Sequence, residues 1–139
     1  MNNEKSKFFP ILTVVVGFFM LSIPMFAHHG SGISYDMTKP WTTKAVVTDW
    51  KFINPHPILL FDITDEKGNV AHWHSEIVTQ PSWMVRAGWT KRRTEEALKP
   101  GTAVILTLCT SKVGGTSAVV TKIVNGKGEE IVTNATPQQ

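Results

Sequence analysis

Apolar and polar residues alternate with a period of two through most of residues 41–77, and this restricts the chain to a β-rich fold. Two interruptions divide the run. Asn54-Pro55-His56-Pro57 carries two prolines, which remove two ladder donors, so it is a rigid corner and not the middle of a strand. Asp65-Glu66-Lys67-Gly68-Asn69 is a hairpin loop in which Gly68 supplies the positive φ that such turns need. The first predicted strand, 41–52, has Val46, Thr48, Trp50 and Phe52 on one face and Val47, Asp49 and Lys51 on the other. The second, 58–64, sets Leu59, Phe61 and Ile63 against Leu60 and Asp62. The third, 70–77, places His72, His74 and Glu76 on one face and Trp73, Ser75 and Ile77 on the other.

The pattern then changes. Pro81 suits a first helical turn, Trp83, Met84 and Ala87 fall on an apolar face, and Gly88 is placed to end the helix. A second short turn is predicted near Thr94, with its hydroxyl capping the Glu95-Glu96-Ala97-Leu98 stretch. Lys99-Pro100-Gly101 is a turn, and 102–110 is a fourth strand rich in β-branched residues. Gly114-Gly115 makes a hairpin to a fifth strand over 116–124. Asn125-Gly126 and Gly128 mark a tight turn before a short strand at 130–132. Three strands, a helix and two strands is the order of a mainly β, five-stranded, OB-like, partly open barrel with one short helix between strands 3 and 4. A small α+β sandwich is the competing arrangement. Cys109 is the one cysteine, so no intrachain disulfide can help, and packing of five Trp with the Phe residues must supply the stability. The tryptophans (41, 50, 73, 83, 89) are assigned mostly to the core, with a ligand groove as the alternative use.

The N-terminus reads as an export signal. Lys5 and Lys7 precede an apolar run from Phe8 to Ile23, Pro24 breaks it, and Ala27 offers the small residue needed before a cut. A spanning helix wants about 20 apolar residues, which this run does not reach. No cysteine follows it for a lipid anchor. The expected organisation is a signal peptide at 1–27, a flexible or surface-docked arm at 28–40, a single β domain at 41–132 and a disordered tail at 133–139. The protein is therefore expected in the periplasm or outside the cell, touching a membrane only through its signal segment. The net charge of +3 is too small to argue for nucleic acid, and Lys91-Arg92-Arg93 is offset at once by Glu95 and Glu96.

Five histidines carry the chemistry worth considering. Cleavage after Ala27 would make His28 the first residue, and its free amine and imidazole Nδ1 could close one chelate ring on a metal. Such nitrogen donors suit Cu(II) before Ni(II) or Zn(II). His72 and His74 form an H-x-H pair on one strand face, with Glu76 beyond as a ligand or base. His56, fixed between two prolines, is the other candidate third ligand. The plainer readings are an exposed terminal histidine, a solvated strand face, and a corner ring bonded to a backbone carbonyl. Ser75 cannot pair with His74, its opposite-facing neighbour, and no G-x-S-x-G elbow, P-loop or dinucleotide fingerprint is present. Cys109, inside an apolar strand, reads as a packing residue. No CxxCH is present for covalent haem.

Several pieces, taken in order, resemble a family of small exported bacterial proteins known only as a domain of unknown function. They are AHH at the processing site, KP before the first strand, WKFINPH at its end, VAHWHSE across the third, RAGWT after the helix and LKPG before the fourth. The likeness runs over most of residues 27–125. It implies an exported one-domain protein without an established activity, and picks out His28, His29, Asn54, Pro55, His56, Trp73, Glu76, Gly88 and Trp89. His72 and His74 lie outside that pattern, and Cys109 stands where a glycine is more usual.

The leading expectation is a non-catalytic exported binding module, with copper held by His28 and either His56 or the His72/His74 pair. The alternative is a metal-free accessory domain that binds a periplasmic protein or small ligand through Asn54, Trp73, Glu76 and Trp89. A metal hydrolase with Glu76 as base ranks third, because no complete catalytic set is visible. Intact-mass measurement on the exported protein is expected to show a chain starting at His28. Any other start removes the terminal chelate.

Overall fold

The computed structural model describes residues 31–132, so the cleavage site, His28, His29 and the tail after Val132 lie outside it. The order of elements is α1 (Ser31–Ser34), β1 (Trp41–Lys51), β2 (Ile58–Thr64), β3 (Val70–Ile77), α2 (Pro81–Arg86), α3 (Lys91–Ala97), β4 (Ala103–Thr110), β5 (Ser117–Asn125) and β6 (Glu130–Val132). Strand β1 pairs antiparallel with β2 and β4, β2 with β3, and β4 with β5. A parallel pairing of β3 with β5, His74 opposite Ser117 through Ile77 opposite Val120, joins the two ends of the sheet. The result is a closed five-stranded barrel in the order expected of an OB-like fold. The expected opening is sealed by that seam, and β6 adds a short sixth strand alongside β5.

The inward faces of β2 and β3 follow the alternation in the sequence. Leu59, Phe61, Ser75 and Ile77 are buried, while His74 and His72 face out. Ser75 is the polar member of the inward row, and its hydroxyl donates to the Leu59 carbonyl at 3.0 Å. That bond satisfies a group whose burial would otherwise be costly.

Strand β1 departs from the predicted faces. Ala45, Val47 and Trp50 are buried, and Val46 points outward. A register shift between Val47 and Asp49 places an extra residue in the strand, so Val47 and Trp50, three apart, both turn inward. The LKPG turn secures this bulge. The Gly101 N–H donates to the Val47 carbonyl at 2.8 Å, and the Val47 N–H donates to the Thr102 carbonyl at 2.9 Å. Gly101 needs φ of +88°, which a glycine adopts without strain.

Two short helices lie between β3 and β4, the expected one at Pro81 and a second where a short turn was expected near Thr94. Helix α2 begins with Pro81 and buries Met84, but Trp83 and Ala87 face solvent, opposite to the predicted apolar face. It ends in a Schellman motif. The Trp89 N–H donates to the Met84 carbonyl at 2.8 Å and the Gly88 N–H to the Val85 carbonyl at 2.9 Å, with Gly88 at φ +85°. The accompanying apolar pair, Met84 and Trp89, enters the core. Helix α3 starts earlier than Thr94. Its cap is Thr90, whose hydroxyl accepts from the Arg93 N–H at 3.3 Å.

Thr94 instead links the helix to the barrel. Its hydroxyl donates to the Lys91 carbonyl at 2.8 Å and accepts the Trp50 indole N–H at 3.2 Å. Around it, Leu59, Phe61, Leu98, Leu106, Leu108 and Ile123 are fully buried and fill the interior. Among the described residues no helix is long and apolar enough to cross a membrane. Thr94→Val keeps the shape but strands the buried indole N–H. Urea denaturation is expected to show a loss of about 1–3 kcal/mol, largely absent when the same change is made on Trp50→Phe.

Candidate functional site

The length of the hairpin loop builds the most chemically distinctive cluster. Thr64 opposite Val70 closes the loop at 65–69, and the ladder then places Asp62 opposite His72, Leu60 opposite His74 and Ile58 opposite Glu76. Asp65 accepts from the backbone and side chain of Asn69, and these bonds hold its carboxyl below the usual carboxylate range. The loop and the register are therefore fixed together.

Across this ladder the His72 Nδ1–H donates to Asp62 Oδ1 at 2.6 Å, with the imidazole 83% and the carboxylate side chain 25% exposed. A carboxylate that accepts the Nδ1–H hydrogen bond sets the tautomer and leaves Nε2 with its lone pair outward. His74 lies two residues along on the same face, roughly 7 Å away by strand rise. Its ring makes no hydrogen bond among the described residues. Glu76 is half-buried on this face. Among the described residues no three His, Cys, Asp or Glu side chains come together where they could hold a metal ion.

His56 is elsewhere. Its Nδ1–H donates to the Ile77 carbonyl at 3.0 Å, and the Ile77 N–H donates to the Pro57 carbonyl at 2.9 Å. The corner is thus fastened to the far end of β3, about 17 Å of strand from His72. With metal–nitrogen bonds near 2 Å, one ion cannot take both His56 and His72. Asn54 and Pro55 are exposed beside this corner.

The two tryptophans assigned to a partner surface are occupied by packing. Trp73 stacks on Phe61 at 6.1 Å between centroids and meets Trp41 edge-on at 6.0 Å. Trp89 is 6% exposed, and the Arg93 guanidinium lies 3.8 Å over its ring while donating to the Gly88 carbonyl at 3.1 Å. Cys109 is buried, and its thiol pKa is raised first by that burial and then by the nearby Asp36 carboxylate. Both effects disfavour the thiolate a nucleophile would need.

The arm before β1 reaches the His72/His74 end of the barrel. Tyr35 bridges to Ser111, the Asp36 N–H donates to the Thr110 carbonyl at 3.0 Å, and Lys112 Nζ donates to the Gly32 carbonyl at 2.6 Å. Ser111 in turn donates its N–H to Ser117, the residue paired with His74.

Sequence reasoning missed an outer cleft of about 540 Å³ lined by Lys44, Val46, Asp62, Thr64, Ile105 and Val124, with the β5–β6 turn as one wall. Its signal was present in the apolar residues at outward positions of β1 and β4, but the β1 bulge had to be known first.

A family model described as a family of unknown function (DUF6152) matches residues 17–120. Compared with the curated proteins and with the solved structures, the chain matches none.

Nitrogen NMR of the neutral His72 ring is expected to show its proton on Nδ1. Asp62→Ala should shift that population toward the Nε2–H form, whereas the ring of His56 should be unaffected.

Proposed function

Since the chain belongs to this family of unknown function, its activity must be sought in its own side chains, and we propose an exported binding module that holds one copper ion. His28 supplies its amine and imidazole once the signal is removed, and His72 Nε2 or His74 supplies the further nitrogen. The observation that carries this reading is the Asp62–His72 bond at 2.6 Å. It prepares an exposed imidazole in the tautomer a metal requires, beside a second imidazole on the same strand face.

The course of the arm favours this pair over His56. Gly32 is the fourth residue after His28, and extended chain covers at most about 14 Å over that length. Gly32 is anchored at the hairpin next to His74, whereas His56 is at the opposite end of β3. The amine and the imidazoles must lose their protons to bind, so affinity falls on acidification. The metal-free alternative loses support, because Trp73 and Trp89, two of its four contact residues, are turned into the packing.

Titration of the processed protein with Cu(II), followed by electron paramagnetic resonance, is expected to give one site with several nitrogen donors. His72→Gln combined with His74→Gln should weaken binding by at least about tenfold, or 1.4 kcal/mol, as should one residue added before His28. Undiminished affinity in both proteins would sink the reading.

A further inference from the structure

The outer surface of a small barrel is ordinarily polar where strands alternate, yet the cleft beside Asp62 is floored by apolar side chains. Val46 of β1 and Ile105 of β4 are each 43% exposed. They stand diagonally across the β1–β4 ladder, where Val46 faces Ala103 and Lys44 faces Ile105. Val124 of β5, paired with Ile105, continues the patch. The turn at Asn125–Gly128 raises one wall and Asp62 with Thr64 forms the other, enclosing about 540 Å³. That is the size and character of a small-molecule site, apolar with a few polar groups at defined points.

The polar groups choose the ligand. Two charged side chains line the cleft, Lys44 and Asp62. The Asp62 carboxylate already accepts the His72 Nδ1–H. The Lys44 ammonium has no carboxylate partner among the described residues, and the Thr64 hydroxyl makes no hydrogen bond among them. Lys44 is therefore the charged group at this cleft that has no partner among the described residues, while the Asp62 carboxylate, still negative, is held by the His72 Nδ1–H and the Thr64 hydroxyl offers a neutral donor. We infer that the cleft binds a small amphipathic organic acid, its apolar body over Val46, Ile105 and Val124 and its carboxylate at Lys44. A neighbouring cleft of about 640 Å³ shares Ala103, Asn125 and Gly126 but is lined by Arg93, Glu96, Lys99, Lys127 and Glu129. Its charged lining confines the apolar body to the first cleft. The inference shares Asp62 with the histidine cluster but needs no metal, because neither Lys44 nor the apolar floor belongs to the histidine pair.

Calorimetric titration of the full chain with decanoate, decanol and decyltrimethylammonium, below micelle formation and with chelator present, tests it. Decanoate is expected to bind one to one, at least about tenfold tighter than the ammonium. Lys44→Gln should abolish that preference, and Ile105→Glu should abolish binding while leaving the unfolding midpoint in place. Amide shifts on adding decanoate should centre on Val46, Ile105 and Val124, which keeps the test informative if Ile105→Glu is unstable. Equal affinity for acid and ammonium, or shifts centred elsewhere, would overturn the assignment. So would adsorption to anionic phospholipid vesicles without saturable decanoate binding.

Discussion

The parallel seam between β3 and β5 is the constraint on which the rest depends. Two antiparallel ribbons, β1–β2–β3 and β4–β5, share β1 at one side, and only the pairing of residues 74–77 with 117–120 makes them a barrel. Closure turns Phe61, Ile77, Leu108 and Val120 toward one interior, where all four are fully buried. Each such side chain contributes about 1.5–3 kcal/mol on leaving water. The seam also brings the β4–β5 hairpin against His74, and with it the arm that leads back toward His28. The spatial logic of the proposed copper site follows from the same few hydrogen bonds.

Much of the motif pattern singled out in the sequence serves architecture. The NPH corner fastens to Ile77 through His56 and Pro57. RAGW closes α2 as a Schellman motif and delivers Trp89 to the core, and LKPG holds the β1 bulge. Each places a glycine, proline or aromatic residue where backbone geometry demands it. Of the singled-out positions within the described residues, Asn54 and Glu76 acquire no such explanation. His72 and His74, which the proposal uses, lie outside that pattern.

The sequence reading succeeded where a local rule acts without interference. Leu59-Leu60-Phe61-Asp62 and His72-Trp73-His74-Ser75 alternate, and their faces are as read. It failed where one residue changes the count. The bulge after Val47 cannot be seen in composition, because Asp49 and Trp50 suit a regular strand equally well, and it reverses the role of Val46. Thr90 and Thr94 are both able caps; burial by Trp50, a long-range fact, separates them. The Asp62–His72 contact was within reach, since a five-residue loop at 65–69 sets that register. The separation of His56 from the pair was not, because it requires knowing that the corner folds back onto Ile77.

The arrangement of β5 has a consequence for how molecules of this protein meet one another. One side of β5 is taken by β4, and the other is divided between β3 for its first half and β6 for its second. Unshared strand borders within the described residues are brief: one side of Trp41–Ala45 and of the last residues of β1, the opening residues of β3 and the three residues of β6. Sticky, aggregating sheets grow by adding a stranger's strand along a long bare border. Here such borders are too short to template one, and a crowded solution should find little on this barrel to extend.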